Sequence, residues 1–521
     1  MPSGSSTNRE RSIYSVIPVF GFLLFGLFVG FAAMILLSSV HKHSHNHAEI
    51  IVIAAMFIVP PFLYYNWAAL RQAFSSFWTM VKNLYWYHWV FFVLFMSMQV
   101  WRKRTLDEIK AQPVDTFAAA RALMVAGVGC YLLYRLFTRK TDFLREWFSG
   151  VPGFLMLFVL AVLTSMLWSV YWPWTLYKGC EYAVDVATVA AVVVAIRNLK
   201  DLESLYDWTW FWIGMLLFTC WLGAYFAPDV ALSHLLEEGG QATGPIQVQL
   251  SGVFPDLSAN RVGEYSAIIA AVALVRLLPV KGYQRRMTTW YTWLFIASLI
   301  TIVFAQTRSA TGGFLVAVVL IFWLSGRFKH GVAIVLLGAT LLLVSGGGST
   351  LVDYMKRGQS TQQLESLTGR IQWWELAFKK YEDAPLTGFG GYAAGRFLVM
   401  GAIGNNVASM HSDWVETLVG VGFWGIVPLL FAMGTAWWYL LRFILDPERT
   451  PEERQLCLET IAVFTVASMR TIFSDDLTWH SPLQFMLPFI FVEYMRHRYG
   501  KTRLRITAPA YIGRYPRAAE Q

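Results

Sequence analysis

The side chains in this sequence that could do chemistry fall into a few short stretches, set between long apolar runs. Arg308 sits in AQTRSATGG, with apolar residues on both sides and almost no loop. Arg370 opens GRIQWWELAF, and His411 lies in MHSDWVETLVGVGFWG with Asp413 and Glu416 beside it. Arg470, Asp475, Asp476 and His480 share SMRTIFSDDLTWHSP. Guanidinium groups stay charged and present a planar fork that fits phosphate oxygens in pairs. A neutral imidazole can take a proton from a hydroxyl. An arginine at the centre of a membrane helix costs about 2.5–3.5 kcal/mol, so one at this depth usually serves a pathway or a ligand. Each residue also has a plainer reading: a structural interfacial arginine at 308, a capping or packing histidine at 411, and a solvated turn at 475–476.

The elements that must position these groups are membrane helices. The chain has 521 residues, of which 56% are hydrophobic and 14% charged, with mean hydropathy +0.47. Soluble domains carry about 25% charged residues. Apolar runs long enough to cross a hydrocarbon core of about 30 Å recur throughout. Spans are expected near 13–40, 48–66, 84–101, 117–137, 151–170, 181–196, 206–227, 262–280, 288–306, 310–325, 331–345, 414–441, 456–473 and 482–496. The polar start, MPSGSSTNRERS, has no A-x-A-like cleavage site before the first span, which reads as a retained helix. The formal net charge of +9 lies mainly in short connectors, which topology explains better than a nucleic-acid partner does. With Arg9 and Arg11 inside, alternation places Arg71, Lys82, Arg139, Lys140, Arg145, Arg197, Lys200, Arg276, Lys281, Arg285, Arg286, Arg327, Lys329, Arg442, Arg449 and Arg454 inside as well. One connector objects, since Arg102, Lys103 and Arg104 fall outside. The same alternation puts QTRS and the loops 228–261 and 346–413 outside.

These assignments divide the chain into N-terminal transmembrane helices (1–150) and central helices with the outer loop (151–345). A catalytic loop (346–413), C-terminal helices (414–496) and a basic tail (497–521) follow. Within the catalytic loop, Ile371, Trp374, Phe378 and Tyr381 recur on one helical face, with Thr368 as N-cap and Pro385 as terminator. Such a helix should lie along the membrane interface with Arg370 in its first turn, where free backbone N–H groups add to the guanidinium's donors. The following PLTGFGGYAAGR permits a tight turn at Gly388, Gly390 and Gly391 but lacks the GK[ST] ending of a P-loop, so as a phosphate cradle its signal is weak. Asp413 and Glu416 have capping-box spacing and start a helix near 413. Arg261, with Glu264 three residues on, is either a snorkelling cation or one at the mouth of a polar cavity. The alternating His41, His43, His45 and His47 lack a carboxylate or cysteine partner, and Cys130, Cys180, Cys220 and Cys457 lack CxxC spacing. No metal site or cofactor is expected from either set.

The run GR-x-x-x-W-E-x-A, then D-A-P-L-T-G-F-G, then H-S-D-W-V-E-T-L-V-G-V-G-x-x-G resembles the signature region of the O-antigen ligase/polymerase superfamily, bacterial inner-membrane glycosyltransferases. The resemblance is close over roughly 255–440. It implies an all-α polytopic membrane protein of about 12–14 transmembrane helices, GT-C-like, with a long periplasmic loop containing an amphipathic interfacial helix. It further implies cytoplasmic termini and a periplasmic active site. By the same resemblance Arg308, Arg370 and His411 match the active centre, and Asp475 or Asp476 matches an acidic residue of some ligases. Arg261, Arg396, Arg470 and Glu416 join the two aspartates as candidate substrate-binding residues. The implied reaction is inverting and metal-independent, since the outer loops carry no DxD-like motif. It moves a glycan from undecaprenyl diphosphate to an acceptor hydroxyl, such as lipid A core. The implied partners are the lipid-linked donor, a glycan or lipid A core acceptor and the bilayer. Two departures stand out: extra N-terminal helices, and serine after His411 where asparagine is frequent. A repeat-unit polymerase shares this pattern. A transporter of an anionic solute or lipid would use the same cations in a different way.

Overall fold

The computed structural model describes residues 81, 84–99, 104–112, 114–139, 143–234, 246, 248–284, 288–344, 354, 369–404, 409–480 and 482–499. The expected spans at 13–40 and 48–66, the histidine tract, Arg71, Lys82, Arg102, Lys103, Arg285, Arg286, Thr368 and the tail beyond 499 lie outside the described residues. The other expected spans are all helical, in an all-α membrane protein.

In chain order the helices are α1 (Trp86–Gln99), α2 (Leu106–Ala111), α3 (Thr116–Arg139), α4 (Phe143–Trp147), α5 (Gly150–Ser165), α6 (Trp172–Ala195), α7 (Leu199–Phe226) and α8 (Pro228–Ala231). After a short ribbon come α9 (Ala259–Leu277), α10 (Thr288–Ala305), α11 (Arg308–Leu324), α12 (Phe328–Val344) and α13 (Arg370–Tyr381). The last are α14 (Asp413–Leu445), α15 (Pro451–Thr471) and α16 (Leu483–Tyr499). Among the described residues α3, α7, α10 and α14 are long and apolar enough to cross a membrane by length and composition, and α5 and α11 are shorter apolar helices. Helices α9, α15 and α16 carry buried ionisable groups and form the interior, where almost every side chain is covered. An intramembrane charge is stable only facing such an interior. Alanines 267, 270, 271 and 273, all buried, give α9 little bulk where it packs against α10 and α15. At the end away from His411, Arg276 of α9 joins Glu459 of α15 through two 2.8 Å bonds and Asp207 of α7 at 2.7 Å.

Loop 228–261 departs from a purely helical expectation. It forms an antiparallel ribbon, β1 (Leu232–His234) on β2 (Val248–Leu250), with Ser233 opposite Gln249. Gln249 then donates to Ala305 O at the end of α10 (2.9 Å).

The glycine-rich turn at 387–391 has a structural task that its sequence did not reveal. Helix α14 breaks at Gly422, whose φ is 60°, a value open to glycine but costly for most residues. The break frees backbone groups, and the turn takes them up. Phe389 N and Gly390 N donate to Val419 O (3.0 Å) and Gly420 O (2.8 Å), while Phe423 N and Trp424 N donate to Pro385 O (2.9 Å) and Leu386 O (3.3 Å). Gly388 N donates to Ala384 O (3.0 Å) and Gly391 N to Ser165 Oγ (3.0 Å). All four amides from 388 to 391 are therefore engaged inside the protein, which argues against a phosphate cradle here.

Candidate functional site

Several of the expected site residues, namely Arg261, Arg370, Arg470, Asp475 and Asp476, meet at the connection between α15 and α16, residues 472–482, whereas Arg396 lies apart from it. Among the described residues, non-glycine positive φ angles occur only at Gln306 (51°), Tyr392 (60°) and His411 (54°), all of which border this region. Such conformations cost on the order of 1–3 kcal/mol each and persist where surroundings over-determine them.

Arg308 is placed by the turn before it. Gln306 donates through Nε2 to Ile246 O (3.1 Å) and Val248 O (2.9 Å), and Thr307 Oγ1 donates to Ala259 O (3.0 Å). Thr307 sits so close to Gly263 that a Cβ there would lie 2.5 Å from Oγ1. Arg308, half-buried, is thus the first residue of α11, fixed against the start of α9. Its neighbour Ser309 accepts from Arg470 Nη1 (3.1 Å).

Arg470 is one of the largest fully buried side chains. It reaches Asp476 Oδ2 through Nε (3.0 Å), Ser474 Oγ through Nη2 (3.0 Å), and lies 3.5 Å from Glu264 Oε2. Arg261 Nη1 completes the set, 2.9 Å from Glu264 Oε2 and 2.8 Å from Asp476 Oδ1. Gln484 Nε2 donates to the other Glu264 oxygen (2.9 Å). Two arginines and two carboxylates thus form a compact ionic knot, in which Arg261 is not simply snorkelling. Burial favours the protonated form of Asp476, but Arg470 and Arg261 outweigh it and hold its carboxyl below the ordinary range. The solvated-turn reading of 475–476 is overturned, because both aspartates are buried.

Asp475 is buried beside this knot. It accepts a short hydrogen bond from Ser409 Oγ, and its Oδ1 is buried without a hydrogen-bond partner. Burial and the neighbouring Asp476 push its carboxyl up to about 6, with Ser409 and Arg370 opposing. Arg370, at the start of α13, donates to Phe473 O (2.8 Å). The α13 N-cap is Gly369, with no side-chain cap. Of the expected apolar face, Trp374 and Tyr381 pack inward while Ile371 and Phe378 stay exposed. Trp374 Nε1 donates to Met410 O (3.0 Å), tying the helix to the residue before His411.

His411 has its ring centroid 6.1 Å from that of Trp373. Its pKa is lowered to about 4 by burial first, then by Arg370 and Arg470, against an opposing pull from Asp476. The imidazole is therefore neutral at physiological pH. Helix α14 starts at Asp413 as expected, but the capping box does not form. Ser412 is the N-cap. Asp413 instead accepts from the backbone N–H groups of Asp476 (2.8 Å), Leu477 (2.9 Å) and Thr478 (3.0 Å), and from Thr478 Oγ1 (2.7 Å). This carboxylate pins the 475–478 segment to the end of the loop that carries His411. Sequence reading missed that role, since nothing local distinguishes it from a cap. Asp413→Asn sets an NH2 against backbone donors, so a loss of about 1–3 kcal/mol in thermal stability is expected, with transfer falling alongside. A detergent melting curve checks it.

Glu416 is also buried, and its carboxylate takes backbone bonds from Met410 N (3.4 Å) and Gly395 N. It stands between His411 and Arg396. Arg396 lies in a π-helical turn, Ala394–Met400, that the sequence did not announce. Its guanidinium is 5.0 Å from the Trp174 ring centre and bonds Arg104 O (3.1 Å). Burial, then Arg104, holds Arg396 at about 10, still charged at neutral pH. His480 faces away from the centre: it meets Asp185 Oδ2 through Nδ1 (3.1 Å) and Ser97 Oγ through Nε2 (2.8 Å). Ser97 already donates to Leu94 O (2.7 Å), so it accepts from the ring. The trio outwardly resembles a nucleophilic triad but is a buried bolt joining α1, α6 and the 472–482 connection.

The connection therefore touches α9, α13, α14, α1 and α6, and gathers Arg370, His411, Asp475 and the Arg470 knot, which reaches α11 at Ser309. The result is a largely buried cluster of arginines and carboxylates with one neutral imidazole and one carboxylate oxygen without a hydrogen-bond partner. Residues 293–430 match the family model described as O-antigen ligase. No curated protein matches the chain.

Proposed function

We propose that the chain transfers a glycan from undecaprenyl diphosphate to an acceptor hydroxyl on the outer side of the bacterial inner membrane; the match of residues 293–430 to the O-antigen ligase model supports ligase or polymerase-type function. In this reading Arg308 and Arg370 hold the diphosphate, and His411 is the general base. The acceptor oxygen attacks the anomeric carbon in line as the bond to the diphosphate breaks. The leaving electron pair goes to the diphosphate, the hydroxyl proton goes to His411 Nδ1 or Nε2, and the anomeric configuration inverts. Asp475, through its unsatisfied Oδ1, would accept a hydrogen bond from a sugar hydroxyl.

The observation that carries this reading is the neutral His411 held in the field of Arg370 and Arg470. An imidazole with a pKa near 4 is fully available but a weak base. A diphosphate held by Arg370 would cancel much of that guanidinium's field and raise the imidazole's proton affinity as the donor binds. The base is then strengthened by the substrate it serves. Arg370→Gln should mimic part of this effect. The pH midpoint for diethylpyrocarbonate modification of His411 is expected to move up from about 4, though short of 6.5 because burial remains. An unmoved midpoint would separate Arg370 from His411 and remove the basis of the mechanism.

Ligase and polymerase chemistry differ in the acceptor. In a deletion strain, accumulation of lipid-linked polymer supports ligation onto lipid A core, whereas accumulation of single lipid-linked repeats assigns polymerisation instead.

A further inference from the structure

A second group of cations lies across Glu416 from His411, and the catalytic reading leaves it unused. Arg121 binds Glu181 with two bonds, Nε at 2.6 Å and Nη2 at 2.8 Å, and Lys178 Nζ shares the same carboxylate at 2.9 Å. Arg104 pairs with Asp115 at 3.7 Å. Arg396 has no carboxylate within ion-pairing reach among the described residues, and its Nε is buried without a partner. It is only 6% exposed. Glu416 acts on it from beyond ion-pairing distance, and a buried guanidinium without a close counter-charge is costly, so an anion reaching it would be stabilised.

Aromatic planes enclose these cations. Lys178 Nζ lies 4.8 Å from the Trp479 ring centre, 5.3 Å from Trp174 and 5.2 Å from Tyr177. Rings of this kind stack on the C–H faces of sugars, as they do on other flat apolar surfaces. Arg104, Tyr177 and Trp479 keep partial exposure and form the open edge, whereas Arg121, Lys178 and Arg396 are buried behind it. Arg104 also belongs to the basic connector that contradicts the charge rule for an outer loop, and a ligand on that side explains why it stays basic. The cluster adjoins the centre: Gly395, just before Arg396, packs so tightly on Glu416 that a Cβ would meet its carboxylate at 2.1 Å.

We infer that Arg396, Lys178 and Arg104, with Trp174 and Trp479, form a second subsite that reads an acidic sugar of the acceptor glycan, a uronate or a sugar phosphate. Calling that glycan the acceptor rests on the transfer reading above, but binding itself does not. The cations supply charge recognition and the rings supply the sugar face. Arg396 selects the anionic acceptor over a neutral one.

The test is calorimetric titration of the full-length protein in detergent, without donor, using a glucuronate-containing disaccharide, a hexose phosphate and a neutral disaccharide. Wild type is expected to bind at least one anionic probe about tenfold or more tightly than the neutral one, and which probe does so names the source of the charge. Arg396→Gln should bring anionic and neutral affinities within about twofold and leave the melting temperature unchanged or higher, because an uncompensated charge has been removed. Arg396→Lys should keep part of the preference, and Arg308→Ala all of it. Equal binding of the three probes by wild type overturns the inference. So does a preference that survives Arg396→Gln while the melting temperature falls, or one that Arg308→Ala abolishes. No arm depends on turnover, so a failed transfer assay would count against the proposed reaction and leave this result standing.

Discussion

Replacing His411 with alanine is expected to slow glycan transfer by about 10²–10⁴-fold, the usual worth of a positioned general base. The side chain makes no hydrogen bond among the described residues and packs near Trp373 at a left-handed backbone position, so its removal should cost far less in melting temperature than in rate. Arg308→Ala and Arg370→Ala should each cost on the order of 10²–10³-fold, comparable to deleting one donor that stabilises developing charge. Lysine at either position should recover only part of the rate, because an ammonium keeps the charge but lacks the guanidinium's rigid planar fork of paired donors. The measurement is transfer from a lipid-diphosphate-linked glycan by purified variants that elute and melt as wild type does. Rates near wild type for His411→Ala would eliminate the base mechanism.

The other large effect is on stability. Arg470→Ala is expected to destabilise the protein by about 3–5 kcal/mol, because it leaves Asp476 and Glu264 buried with only Arg261 to offset them. It also cuts the bonds to Ser309 and Ser474 that hold the start of α11 against the 472–482 connection. Arg308 should then lose its place, and transfer should fall together with stability. The double variant Arg470→Ala/Asp476→Asn removes one of the orphaned charges. Its loss should be smaller than the sum of the two single losses, by about 0.5–3 kcal/mol of coupling. Strict additivity in detergent melts would mean that the knot is not a unit.

Much of the fold was readable in the sequence. Apolar runs fix membrane helices because an unpaired peptide group in hydrocarbon is prohibitive, and helices satisfy their own backbone. Every expected span within the described residues is helical, and α13 and the start of α14 fall within a residue or two of their expected positions. The residue types of the centre were readable for a similar reason, since an arginine or histidine between apolar runs needs a purpose. The candidates at 308, 370 and 411 came from that logic and from a motif resemblance.

What only the tertiary structure decided concerns partners distant in the chain. Asp413 has the local signature of a cap, yet its acceptors are used by backbone groups more than 60 residues away. The glycine turn has the local signature of an anion cradle, yet its amides splice into the break at Gly422. Asp475 and Asp476 read as a solvated turn and prove buried, and the ionic knot that shelters Asp476 draws on α9 and α15 together. Local sequence fixes which groups a segment must satisfy, whereas only packing fixes where the satisfying group comes from. Arg396 shows the difference most plainly: in sequence it is one arginine after a glycine-rich turn, and in the structure it is a buried charge beside a tryptophan, with no carboxylate within ion-pairing distance among the described residues.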